Sequence, residues 1–193
     1  MNLPNKLTMF RICMVPVFLV LLCVNLPISD TAMRIATAVV FAITSLTDMI
    51  DGKIARKYNL ITDFGKFMDP LADKFLVMAA MLGILVRFDE LRPVFVWAAA
   101  IVIFREFAVT SLRLVVAGKS GIVVAAAWLG KVKTTLQMIC IVVILLEPVI
   151  LPFPLFAETH LLSYITIAAM SVMTIWSGAD YMKAYWPYIT ATK

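Results

Sequence analysis

The sequence predicts an all-α, polytopic membrane protein with six transmembrane helices. Three observations carry this. Of the 193 residues, 63% are hydrophobic, and the mean hydropathy is +0.98. Only 15% are charged, against about a quarter in average soluble domains, too few to cover a water-facing surface. Finally, apolar stretches of bilayer-crossing length, about 20 residues as a helix, recur along the chain between short segments rich in helix breakers.

Six such stretches occur: Leu7–Ile28, Met33–Ile54, Lys66–Val86, Val94–Val116, Ala127–Val149 and Leu161–Met182. Pro27, Pro93, Gly118, Gly121, Pro148, Pro152 and Pro154 mark the breaks between them. No internal repeat or low-complexity linker divides the chain, so residues 1–193 read as a single membrane-embedded domain. The first stretch follows a polar segment, Asn2 to Lys6, which is expected to lie along the interface before the chain turns inward. No small-residue cleavage site follows it, so it is expected to stay in the mature chain. At the other end, Tyr181 to Trp186 has the aromatic and lysine content of an interface anchor. Trp97 and Trp176 read as lipid-facing or packing residues, and His160, in a Pro-rich connection, as a solvated residue rather than a base. Cys13, Cys23 and Cys140 lie in apolar stretches without CxxC spacing. They read as small buried hydrophobes, which argues against a zinc site or a disulfide framework.

The net charge is +5. No basic tract interleaved with aromatics appears, so nucleic acid is not an expected partner. Fourteen of the 17 Lys and Arg residues fall on the side shared by the two termini; Arg34, Arg87 and Arg92 fall on the other. By the positive-inside rule both termini face the cytoplasm, with residues 57–65 and 117–126 inside and 87–93 and 150–160 outside.

Four acids interrupt the apolar pattern at the cytoplasmic ends of the second and third stretches. Asp48 and Asp51 are spaced i, i+3, and Asp69 and Asp73 i, i+4. Either spacing places both carboxylates on one side of a helix. The connection between the stretches is short, so the two helices are expected as antiparallel neighbours with their acidic faces meeting. Ionisable groups at membrane depth are costly and face a bundle interior or a watered cavity. Four converging carboxylates call for hard divalent cations with oxygen ligands, Mg²⁺ or Mn²⁺. Two ions roughly 4 Å apart are a recurrent arrangement for phosphoryl chemistry. Ion pairing with Lys53, Arg56, Lys66 or Lys74 is the simpler alternative, but it does not require four acids to converge. Gly52 and Gly65 flank the acids, and either ligand access or close helix packing accounts for them. Asp63 reads as the cap of the third helix rather than a ligand.

The run Asp48-Met49-Ile50-Asp51-Gly52-Lys53-Ile54-Ala55-Arg56, followed after eight residues by Gly65, Asp69 and Asp73, fills every position of the pattern D-x-x-D-G-x-x-A-R-x8-G-x3-D-x3-D. It resembles the complete signature of the CDP-alcohol phosphotransferase family. The resemblance implies that family's six-helix fold, a homodimer, a divalent metal, a CDP-linked donor and release of CMP. It implies that Asp48, Asp51, Asp69 and Asp73 ligate metal, with Asp73 also the general base. It places Asn5, Thr8, Gly52, Ala55, Arg56 and Gly65 toward the CDP donor, with Arg56 on the diphosphate. For Asn5 and Thr8, capping at the start of a helix is an equal alternative.

Three later segments, Arg105-Glu106, Leu112-Arg113 and Gly130-Lys131-Val132-Lys133-Thr134, resemble the branch of that family that makes phosphatidylglycerophosphate in bacteria. This implies CDP-diacylglycerol as donor and sn-glycerol 3-phosphate as acceptor, in the bacterial cytoplasmic membrane with the active site facing the cytoplasm. Arg105, Arg113, Lys131 and Lys133 become the candidates for the acceptor phosphate, which suits guanidinium groups. Snorkelling to lipid head groups is their alternative role, though Arg105 stands far inside its stretch. On an ideal helix Arg105 and Arg113 are about 80° apart and can share a pocket, whereas Lys131 and Lys133 are about 160° apart and cannot both face it. Glu106 is expected to orient a neighbouring base. Two competing functions stand beside this one. A sister enzyme would use inositol phosphate, serine or phosphatidylglycerol as acceptor; the basic set disfavours serine but does not separate the two phosphorylated acceptors. An ion-coupled transporter would also bury acids, but has no need of Gly52, Ala55 and Arg56 at fixed spacing.

Overall fold

The computed structural model describes the backbone of residues 3–57, 63–120, 128–153, 156 and 159–190, with side chains except at 3–4, 48–57, 63–64, 66–67, 70, 73, 117, 119–120 and 188–190. The described residues form six long helices and no strand: α1 (Leu3–Cys23), α2 (Asp30–Lys57), α3 (Asp63–Arg87), α4 (Arg92–Ser120), α5 (Trp128–Ile150) and α6 (Leu161–Thr190). Each expected apolar stretch has its helix. Four of them, α1, α4, α5 and α6, are long and apolar enough to cross a membrane. The remaining two, α2 and α3, carry the acids of the signature.

Three expectations about the ends are corrected. The chain is helical from Leu3 onward, so the Asn2–Lys6 segment is not a separate interfacial piece over its described part. The same start puts Asn5 and Thr8 inside α1 rather than at its cap position. The helix then stops at Cys23, short of the expected Ile28. Pro27 is consistent with the stop, because in a continued helix it could not donate to the Cys23 carbonyl four residues back and its ring would clash with it.

Helix α1 is the common partner of α2 and α3. Expected as close neighbours, α2 and α3 instead touch each other only sparsely among the described residues. The second group is α6 with α4 and α5, and α5 joins it to the first through α2. Close approach of α1 and α3 depends on Gly83. A Cβ there would stand 2.6 Å from Leu22 Cδ2, and small residues at such crossings are what membrane helices use to pack. Phe18 and Phe41 pack ring to ring at 5.8 Å in the core beside this crossing. Several hydroxyls inside the bundle are satisfied within their own helices: Thr37 donates to Met33 O at 2.8 Å and Thr174 to Met170 O at 2.7 Å. That keeps them affordable where no water is present to pair with them.

The bundle has two polar ends. At one, Arg87 at the end of α3 donates to Asp30 at the start of α2 (2.9 Å), and Arg34 donates to the same carboxylate at 2.6 Å. Burial acts to raise the Asp30 pKa, but the hydrogen bonds and charges of Arg34 and Arg87 hold it below the usual carboxylate range. Glu147, buried on α5, accepts the backbone N–H groups of Leu162 (2.7 Å) and Ser163 (2.9 Å), and also the Ser163 hydroxyl. It therefore caps the start of α6 from a neighbouring helix. His160, expected to be solvated, is half-buried just before this cap with φ 50°, the left-handed region.

Outward-facing side chains are large and apolar, including Trp97 (73% exposed), Phe104 (76%) and Trp176 (61%). This is the surface of a membrane protein, and it agrees with the lipid-facing reading of the two tryptophans. Cys140 is buried as expected, whereas Cys13 is exposed, on a face of α1 that its helix partners leave open.

Candidate functional site

The opposite end of the bundle gathers the residues singled out by sequence. Asn5, Thr8 and Arg11 are all buried along α1. Thr8 donates its hydroxyl to Asp69 Oδ1 on α3. The side chains of Asp48, Asp51, Ala55, Arg56 and Asp73, like the surroundings of Gly52, lie outside the described residues. Their backbone positions are helical: residues 48–56 occupy the last turns of α2, and Asp69 and Asp73 the early turns of α3. Gly65 is buried in the first turn of α3, and α3 begins at Asp63. The donor set suits a divalent cation, since carboxylate oxygens are the ligands that Mg²⁺ and Mn²⁺ take. The i, i+3 and i, i+4 registers are retained in unbroken helices.

The basic residues of α4 and α5 form a second cluster, organised by two groups. The first is Tyr181 of α6, which is 2% exposed. Arg113 donates to its hydroxyl at 2.7 Å and lies over its ring at 5.2 Å, while Arg105 lies over the same ring at 5.5 Å. Tyr185 stacks on Tyr181 at 6.1 Å. Guanidinium groups over an aromatic face gain cation–π attraction that also fixes their plane. Gly178 makes room for this, because a Cβ there would stand 3.1 Å from Arg105 Cγ. The other face of Arg105 borders an apolar groove of about 320 Å³ between α4 and α6, lined by residues such as Ile101, Phe104 and Met182.

The second organising group is Glu106. It accepts from Lys133, meets Arg105 at 3.2 Å and lies 4.0 Å from Lys74, which also donates to Thr110. The expectation that Glu106 orients a base thus acquires partners, and they are three cations. Several positive groups in a mostly buried place are tolerable only near negative charge, and one carboxylate supplies part of it. Nε and Nη2 of Arg105 and Nε of Arg113 remain buried without a hydrogen-bond partner among the described residues. Buried guanidinium donors rarely stay unpaired, so the cluster is short of an anion or of water.

Arg105, Arg113 and Lys133 are thus brought together, and Lys131 is not. Lys133 is 3% exposed and points into the bundle, while Lys131 is exposed. Tyr181 is a further correction: expected in an interface anchor, it is instead the buried platform for both arginines. Sequence reading does not place Lys74 or Tyr181 in this cluster; it weighs Lys74 only as a partner of the signature acids. Lys74 adjoins the signature and could have been found by its place beside Asp73. No sequence pattern marks Tyr181, because its role arises from the packing of α6 on α4.

Comparison with known proteins bears on this arrangement. Residues 1–177 match the family model described as CDP-alcohol phosphatidyltransferase. The chain is 45% identical to the CDP-diacylglycerol–glycerol-3-phosphate 3-phosphatidyltransferase of Bacillus subtilis strain 168, over 96% of this chain and 95% of the relative. Proteins of the same name from Salmonella typhimurium strain LT2 and Escherichia coli strain K12 are 37% and 36% identical, each over 95% of this chain and 94% of the relative.

Proposed function

The chain belongs to the CDP-alcohol phosphatidyltransferase family, and on that premise we propose that it transfers the phosphatidyl group of CDP-diacylglycerol to sn-glycerol 3-phosphate in phospholipid biosynthesis. The observation that carries a phosphorylated acceptor is the cluster of Arg105 and Arg113 with buried, unpartnered guanidinium nitrogens. A phosphate supplies the missing acceptors in the planar, forked geometry that Arg presents. The names of the relatives support glycerol 3-phosphate, rather than inositol phosphate, as that acceptor.

The primary hydroxyl of the acceptor attacks the phosphorus that bears diacylglycerol. A new P–O bond forms, the P–O bond to CMP breaks, and CMP leaves with the bonding pair. Asp73 takes the hydroxyl proton, and Arg56 balances charge on the diphosphate. Asn5, Thr8, Gly52, Ala55 and Gly65 lie toward the nucleotide. Asp48, Asp51, Asp69 and Asp73 would hold Mg²⁺ or Mn²⁺, two ions by the family resemblance, which would supply charge neutralisation at the diphosphate. Arg105, Arg113 and Lys133 hold the acceptor phosphate, and Lys131 serves head groups at the surface. The protein crosses the bacterial cytoplasmic membrane six times, α2 and α3 included, presents this end to the cytoplasm, and works as a homodimer.

The test is an acceptor panel with purified full-length protein, CDP-diacylglycerol and Mg²⁺ or Mn²⁺, read by CMP release. Turnover with glycerol 3-phosphate, and little with serine, inositol or inositol phosphate, is the expected result. Preference for another acceptor would overturn the reading.

A further inference from the structure

A small cavity of about 40 Å³ opens between α3, α4 and α5, bounded by Lys74, Val77, Glu106, Lys133, Thr134 and Gln137. It adjoins the arginine cluster, since Glu106 is shared by both. Gln137 is 2% exposed, and its Nε2 has no hydrogen-bond partner among the described residues. A buried amide donor left unpaired is destabilising, and native proteins pair nearly all of them. The cavity volume corresponds to about three water-sized groups. That is enough for a hydroxyl on its carbon and too little for a phosphate.

A hydroxyl is also what the chemistry of the walls calls for. It accepts from an amide N–H and donates to a carboxylate through one oxygen atom. Gln137 offers the donor. Glu106 offers the acceptor, since a carboxylate has about four lone-pair sites and three cations stand around this one. In α3, position 73 stands one turn before Val77, so the cavity adjoins the part of α3 that carries the last signature acids.

We propose that this cavity is the subsite for the non-reacting secondary hydroxyl of the acceptor, with Gln137 donating to its oxygen and Glu106 accepting its proton. The assignment rests on the proposed glycerol phosphate acceptor and makes that site selective for a polyol phosphate over a simple alkyl phosphate.

The test compares glycerol 3-phosphate with 3-hydroxypropyl phosphate, which keeps the phosphate and primary hydroxyl but lacks the secondary one. Wild-type enzyme with CDP-diacylglycerol and metal is expected to favour glycerol 3-phosphate by about tenfold or more in kcat/KM, the scale of losing hydrogen bonds to buried groups. Gln137→Leu is expected to lower kcat/KM for glycerol 3-phosphate about tenfold and that for the deoxy acceptor by less than twofold, collapsing the preference. Equal use of both acceptors by the wild type, or an equal fall for both in the variant, overturns the subsite while leaving the acceptor reading intact. Failure with both acceptors alongside turnover of a different one overturns the acceptor reading, and the subsite with it. The wild-type comparison needs no variant, so poor folding of Gln137→Leu does not protect the proposal.

Discussion

Thr8 on α1 donates its hydroxyl to Asp69 on α3 at 2.5 Å, across 61 positions of sequence. The bond fixes one oxygen of a signature carboxylate. Thr8→Val is expected to raise the Mg²⁺ or Mn²⁺ concentration for half-maximal activity about tenfold, the scale of one hydrogen bond to a charged group. Thr8→Ser should remain near wild type. Metal titrations of CMP release check both, and an unchanged midpoint in Thr8→Val would show that the contact does not orient the acid.

The Arg105–Tyr181–Arg113 stack predicts separable effects on the two substrates. Arg105→Ala and Arg113→Ala are each expected to raise acceptor KM or lower kcat by ten- to a hundredfold, for the loss of roughly 1.5–3 kcal/mol of charge-assisted contact. Donor KM should change little. Arg105→Lys should rescue poorly, since a lysine neither stacks on Tyr181 nor presents a planar fork. Equal effects on donor and acceptor KM would count against a dedicated phosphate pocket.

For Asp73, replacement by Asn is expected to lower turnover by roughly 10²–10⁴-fold, the range for a general base, with substantial CDP-diacylglycerol binding retained. Asp48→Asn should weaken metal-dependent donor binding as well. Single-turnover rates and donor binding with and without metal separate the two. Near-wild-type turnover in Asp73→Asn would remove the base assignment.

Glu147 predicts a stability effect at the far end of the bundle from the chemistry. Its carboxylate satisfies two backbone N–H groups at the start of α6. Glu147→Ala should cost on the order of 2 kcal/mol, the upper range for loss of a helix cap, read as a lower Tm in detergent. Both KM values of the folded fraction should be unchanged. A shift in acceptor KM would show that the two ends are coupled.

The proposed orientation predicts labelling from one side only. In a background without Cys13, Cys23 and Cys140, a cysteine replacing exposed Glu90 should react with an impermeant thiol reagent in intact cells. One replacing Gly118, which has open space around it, should react only after permeabilisation. The reverse pattern would invert the topology.

Much of the fold was legible because helix length and hydropathy are local properties. Every apolar stretch predicted a helix, and the errors lay at ends set by single residues, such as the stop before Pro27. The signature acids were legible because their spacing alone places them on helix faces. The second cluster was only half legible. Helical geometry separated Lys131 from Lys133, but which of them faces inward depends on Glu106 one helix away. Tyr181 and Gln137 carry no local signal, since each acquires its role from helices distant in sequence. The packing of α2 and α3 on α1, rather than closely on each other, is likewise a property of three segments together that a two-helix argument from a short loop does not contain.

That arrangement has a consequence for how the protein is made. Helix α1 leaves the ribosome before the two helices that pack on it. When α2 and α3 follow, the helix on which both pack, and that carries Thr8 for Asp69, is already available. Each acid-bearing helix can therefore settle against a finished neighbour instead of waiting for the other. A chain started after α1 would deliver the same acids with no scaffold for either helix to pack on.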